Sequence, residues 1–269
     1  SSASPTHTDS PAITRLYWLA LTHIESIGSV RCQALIERFG TPQEAFRASH
    51  KELAGIRPTI HADAIRSILD GPDLLWARRQ VSMAESMGAS IICLDDPDYP
   101  ERLRQIPSPP PVLFAQGVLA LSSHRAVAVV GTRKPTVSGQ ETTRRLCREW
   151  ATNGIRIVSG LARGIDEIAH RTALELGGET IAVLGCPLDG LGTLGRGQLA
   201  QQIAAAGAIV TEHPFEAPVV AANFVRRNRI ISGLSQAVVV TEAPLGSGAL
   251  ITARNALEQD RELLACPGP

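Results

Sequence analysis

Three arginines, two asparagines and a phenylalanine fall within seven residues at Asn223-Phe224-Val225-Arg226-Arg227-Asn228-Arg229. Guanidinium groups fork onto phosphates, asparagine offers polar contacts, and an aromatic ring stacks on a base, so the combination suits a single-stranded nucleic acid. The competing reading is a solvated basic helix start. Three glycine-containing turns add places for an anion. Gly131-Thr132-Arg133-Lys134-Pro135 carries two cations just before a helix, Ser159-Gly160-Leu161-Ala162-Arg163-Gly164-Ile165-Asp166 carries another, and Glu242-Ala243-Pro244-Leu245-Gly246-Ser247-Gly248 opens a third helix. Glycine lets a backbone come close to a ligand, and the first N–H groups of a helix attract negative charge. The turn after the first strand, Gly131 to Pro135, is not a GxGxxG and indicates no dinucleotide cofactor.

Acid–base chemistry has weaker support. Asp166 and His170 lie four residues apart on one helix face, the spacing of a carboxylate–imidazole pair, and Glu242 ends a strand beside the third turn. These residues define the alternative of a nucleotide-binding enzyme of the nucleoside monophosphate hydrolase type. No nucleophile is obvious beside the Asp166/His170 pair in sequence, and no catalytic residue is assigned. The five cysteines, Cys32, Cys93, Cys147, Cys186 and Cys266, include no CxxC; they read as reduced core thiols rather than metal ligands, in keeping with a cytoplasmic setting. Charge cannot argue for nucleic acid globally, because 26 basic residues balance 26 acidic ones over 269 residues. All but Lys51 and Lys134 of those basic residues are arginine, the better phosphate fork, although an arginine-favouring codon bias produces the same count.

The elements that must position these residues follow from periodicity. From Arg125 short β-branched runs alternate with helical stretches. Strands are expected at 126–130, 155–159, 180–184, 208–212, 237–242 and 262–266, and helices near 139–152, 165–176, 197–206, 223–235 and 249–259. One helix between successive strands implies a doubly wound, mostly parallel α/β sheet, whose ligands bind beyond the carboxyl ends of the strands. Upstream, residues 1–10 read as a disordered tail and 11–72 as short helices punctuated by Gly28, Gly40, Pro42 and Gly55. The α/β part is expected over 73–269, beginning with a helix at 74–87 and a strand at 91–94. Six prolines between Pro97 and Pro111 make 95–111 an extended connector. No apolar run approaches the ~20 residues of a membrane helix. Ile27-Gly28-Ser29 and Ala54-Gly55-Ile56 are faintly similar to helix-hairpin-helix turns that touch DNA phosphates, but simple helix connectors look the same.

Together these segments resemble the DNA-processing protein A (DprA, or Smf) family. The resemblance rests on Val129 to Pro135, Val158 to Asp166 with Ala169-His170, Ala182 to Gly185, Phe224 with Arg226 to Gly233, Glu242-Ala243 with Ser247-Gly248, Leu250 to Arg254, and Pro267-Gly268. The connector residues Asp98-Tyr99-Pro100 and Pro110 to Phe114 also match. It implies a helical sterile-alpha-motif-like (SAM-like) domain before an extended Rossmann-like domain. It further implies single-stranded DNA binding in a basic pocket, a homodimer, loading of the RecA recombinase during natural transformation, and no enzymatic activity. By position, the DNA-binding residues would be Gly131, Thr132, Arg133, Lys134, Gly160, Arg163, Phe224, Arg226, Arg227, Asn228, Arg229, Ser247 and Gly248. Two features depart from the family pattern. A Tyr-Pro pair with a following Asn is replaced by Asp189 to Gly197, and Val219 to Asn223 supply no cation before Phe224. Many members continue into a winged-helix-like domain where this sequence reaches Pro269.

Overall fold

Alternation of side chains between two faces is visible within single strands of the structure, a computed structural model that describes residues 10–119 and 125–267. In β3 (Ala126–Gly131), Val129 joins one apolar cluster with Ile157, Ile165 and Cys147, whereas Ala128 and Val130 join another with Val158, Ile231 and Val240. A strand whose two faces both meet apolar clusters is covered by helices on both sides, which is the doubly wound arrangement.

The chain divides into two compact units, Ser1–Met83 and Ala84–Pro269. The division falls inside a helix, beyond the Gly71-Pro72 break expected to mark it. The first unit holds α1 (Pro11–His23), α2 (Ser29–Phe39), α3 (Pro42–Arg47), α4 (His50–Ala54), α5 (Ala62–Asp70) and most of α6 (Leu74–Ser86). Its short helices start on defined signals. Thr41 caps α3 by accepting from the Glu44 N–H, and Ser49 and Glu52 form a reciprocal capping box on α4. α3 packs on α1, α2 and α5, with Leu19, Leu35, Leu53 and Ile68 fully buried.

In the second unit, β1 (Ala89–Cys93), β2 (Val112–Gly117), β3, β4 (Arg156–Ser159), β5 (Thr180–Val183), β6 (Ala208–Thr211), β7 (Ala237–Glu242) and β8 (Glu262–Ala265) form one sheet. Their order is β1-β2-β6-β5-β4-β3-β7-β8, and all pairings are parallel except β1 with β2 and β2 with β6. α8 (Val137–Thr152), α9 (Ile165–Glu175) and α10 (Gly197–Ala206) connect β3 to β4, β4 to β5 and β5 to β6. α11 (Ala221–Arg226), α12 (Asn228–Gly233) and α13 (Gly248–Glu258) serve the last ones. From β3 the chain moves outward through β4, β5 and β6, then returns to the opposite side of β3 at β7. The carboxyl ends of β3 and β7 therefore flank a topological switch, where a crevice opens between diverging loops.

Three expectations need correction. The connector at 95–111 is not uniformly extended, because Pro100 precedes a short helix, α7 (Glu101–Arg104), at a position where a missing N–H does no harm. β2 follows that connector and no strand was expected there. The helix expected at 223–235 is two helices joined at Arg227. The tail at 1–10 and Gly268 of the Pro-Gly pair lie, apart from Ser10, outside the described residues.

Candidate functional site

The three glycine-containing turns are tied to one another by backbone hydrogen bonds at the switch. The Thr132 N–H donates to the Glu242 carbonyl at the end of β7 (2.7 Å), and the Thr132 carbonyl accepts from the Ile165 N–H at the start of α9 (3.2 Å). This closeness depends on Gly164, whose φ is +84° and where a Cβ would stand 2.4 Å from the Thr132 oxygen. At the end of β5 a second close approach occurs: a Cβ on Gly185 would lie 2.8 Å from the Phe224 ring, so glycine lets the aromatic wall descend onto the strand end.

The helix starts themselves are largely occupied by the protein. The Glu242 carboxylate accepts from the Thr136 N–H (3.0 Å) and its hydroxyl (2.8 Å), and that hydroxyl caps α8 by accepting from the Gly139 N–H (3.1 Å). A carboxylate at a helix N-terminus is stabilising, and it takes the place expected for a ligand anion. Ser247 similarly caps α13 by accepting from the Ala249 N–H (3.3 Å).

Arg227 lies in the floor. It is 5% exposed, and its Nη1 donates to the Gly160 carbonyl (2.6 Å) and to the Val183 carbonyl, while Nε donates to Asn228 Oδ1 (3.2 Å). Asn228, also buried, donates to the Gly248 carbonyl (3.1 Å). Asp166 accepts from the Gly160 N–H (3.0 Å); burial pushes its carboxyl upward, against the pull of the Arg227 charge. Burial in turn lowers the Arg227 guanidinium to about 10, with Asp166 as the main opposing influence. Arg227 and Asn228 thus tie the Gly160 turn, the end of β5 and the Gly248 turn from beneath rather than presenting donors outward.

The Asp166–His170 pair expected from spacing does not form. The Thr180 hydroxyl donates to the Ile157 carbonyl (2.9 Å), so His170 Nδ1, 2.7 Å from the same oxygen, must carry its hydrogen and donate to it. His170 Nε2 is then a buried acceptor without a partner. Burial first, and the Arg227 charge second, lower this imidazole to about 3.

Two adjoining cavities of about 450 and 660 Å³ open above this floor and share Arg133, Ala162, Ala221 and Phe224 in their walls. The smaller also meets Gly160, Arg163 and Arg196; the larger meets Gly131, Thr132, Lys134, Arg227, Asn228, Ser247 and Gly248. Arg133, Lys134 and Arg163 are exposed and pair with no acidic side chain among the described residues. Arg226 and Arg229 are not brought to either cavity. Arg226 is exposed elsewhere, and Arg229 is ion-paired with Glu212 (2.6 Å) and donates to the Ser108 carbonyl (3.1 Å). Reasoning from sequence missed Arg196 and Leu245. Arg196 lies near the end of the Asp189 to Gly197 segment, after its 3-10 turn (Leu188–Leu194), and its guanidinium is ion-paired with Glu167 at the cavity wall. No cluster of three or more potential metal ligands occurs among the described residues.

A crevice at the switch point of a doubly wound sheet, with free cations on its rim and a phenylalanine in its wall, is a candidate anion site whose chemistry suits phosphate chains with bases. A family model described as DNA recombination-mediator protein A matches residues 90–269. Protein Smf of Synechocystis is 40% identical over 258 residues, covering 93% of this chain and 64% of that protein. The X-ray structure of DNA processing protein A from Streptococcus pneumoniae superposes with a TM-score of 0.79 at 29% identity, covering 94% of this chain and 87% of the other. DNA processing protein A from Helicobacter pylori, in a structure concerned with that protein's single-stranded DNA binding mode, gives a TM-score of 0.61 at 32% identity over 67% of this chain and 81% of the other. The chain belongs to the DNA recombination-mediator protein A family. It spans 64% of the length of its Synechocystis relative.

Proposed function

We propose that this protein binds single-stranded DNA in the two adjoining cavities and acts as a recombination mediator. It would deliver incoming strands to the RecA recombinase during natural transformation, as a cytoplasmic homodimer. The observation that carries this reading is the set of three unpaired exposed cations, Arg133, Lys134 and Arg163, placed with Phe224 around one crevice. Backbone phosphates meet the cations and bases meet the ring, so binding is insensitive to sequence. The role is one of binding without catalysis: Glu242 is engaged by Thr136, and the His170 ring is buried with its Nδ1 hydrogen-bonded to Thr180. The helices over 11–72 are read as the SAM-like domain, and no helix among the described residues is long and apolar enough to cross a membrane.

Fluorescence anisotropy of a labelled oligonucleotide, single-stranded against duplex, across a salt series tests the reading. Single strands should bind preferentially, with a log–log salt slope of about −2, as expected for three phosphate contacts on a single strand. Arg133→Ala should weaken binding about tenfold and flatten that slope by about 0.7. Equal affinity for both forms, or an unchanged slope in the mutant, removes the crevice from the DNA path.

A further inference from the structure

The larger cavity carries a side chain that the cationic reading does not explain. Leu245 is 99% exposed, more than any other large apolar residue described, and lines this cavity with Arg133 and Lys134. It sits at the tip of a closed turn, because the Ser247 N–H donates to the Pro244 carbonyl (3.1 Å) and Gly246 holds a φ of +79°. Phe224 and Val225, itself 45% exposed, stand in the wall of the same cavity. Apolar groups set beside unpaired cations match a ligand that alternates apolar faces with negative charge, and a nucleic-acid strand has that alternation at every residue.

We propose that Leu245 is a base-contacting residue: it packs on the face of a nucleobase whose flanking phosphate lies on Arg133 or Lys134. The proposal rests on the single-strand reading above. In a duplex each base face is covered by its stacked neighbours, so Leu245 adds affinity only for strands whose bases are free. It thereby contributes to single-strand preference, and its contribution does not depend on salt, because no counterion is released when an apolar surface is covered.

The test measures anisotropy with oligo-dT, with a strand of equal length containing abasic positions, and with duplex, at low and high salt, for the wild type, Leu245→Ser, Leu245→Met and Arg133→Ala. Leu245→Ser should weaken oligo-dT binding about fivefold at both salt concentrations with the slope unchanged, Leu245→Met should stay near the wild type, and the abasic strand should not distinguish the three. Because Leu245 touches solvent on all sides, its variants are expected to fold normally. If Leu245→Ser binds oligo-dT as the wild type does while Arg133→Ala is weakened, or if it loses equally on the abasic strand, the base contact is overturned and the crevice reading stands. If the wild type shows no single-strand binding, or Arg133→Ala loses nothing, the crevice reading itself fails.

Discussion

Arginine plays three distinct parts in this site, and the surroundings decide which. Arg133 and Arg163 are exposed without acidic partners, Arg196 and Arg229 are held by Glu167 and Glu212, and Arg227 is buried among carbonyl oxygens with Asp166 nearby. Only the first kind is free for a phosphate. The Arg226-Arg227-Asn228-Arg229 run looked uniform in sequence, yet consecutive residues near helical geometry point about 100° apart, so neighbours of one type meet different environments. Removing the buried member tests this assignment. Arg227→Ala strands the Asp166 carboxylate and two carbonyls without their cation and should destabilise the protein by about 3–5 kcal/mol. Chemical denaturation reads it directly. A wild-type midpoint combined with a flattened salt slope for DNA would instead put this guanidinium on the phosphate path.

At the scale of elements, the site is a junction of turns rather than a set of helix starts. β3, β7 and α9 meet through Thr132, and the α8 start, which sequence offered as an anion site, is filled by Glu242. What holds Arg133 in place is thus the packing of one turn against another, with Gly164 at the contact. Gly164→Ala places a methyl group 2.4 Å from the Thr132 oxygen at a φ that only glycine adopts readily. The variant should lose about 1–3 kcal/mol of stability and, because the Arg133 turn must move, also bind single strands more weakly. A thermal melt and a titration on the same preparation check both, and a variant unchanged in each would show the contact to be dispensable. Most strands and helices were legible because their patterns are long and regular. β2 was hidden behind a run of prolines, and the break at Arg227 leaves no proline or glycine to mark it.

For the whole molecule, the balance of 26 basic and 26 acidic residues means that DNA attraction must be local, and that self-repulsion changes little near neutral pH. The pH dependence of stability in that range then falls on buried imidazoles. His170 is lowered from 6.5 to about 3 in the folded state and His213 is lowered as well, both chiefly by burial. Below pH 6.5 the unfolded chain takes up protons that the folded state refuses, so stability is fully present above that value and falls as pH drops toward 3. The slope for His170 is at most about 1.4 kcal/mol per pH unit. Denaturant midpoints between pH 7.5 and 5 should fall for the wild type and fall less steeply for His170→Asn. Parallel slopes would remove His170 as their source.

The alternation of strand and helix, the three turns and the clustered arginines could be read from residue order alone, because period, glycine placement and side-chain chemistry are local properties of a chain. They were enough to give a doubly wound sheet and to point at the crevice above its carboxyl ends. Tertiary structure decided which cations remain free. Whether a guanidinium faces solvent, a carboxylate or a ring of carbonyls depends on residues far away in sequence, such as Glu212 beside Arg229, or Gly160 and Val183 around Arg227. The same holds for Leu245: its type is plain in the sequence, but its isolation on the rim beside Arg133 and Lys134 exists only once β3 and β7 lie side by side.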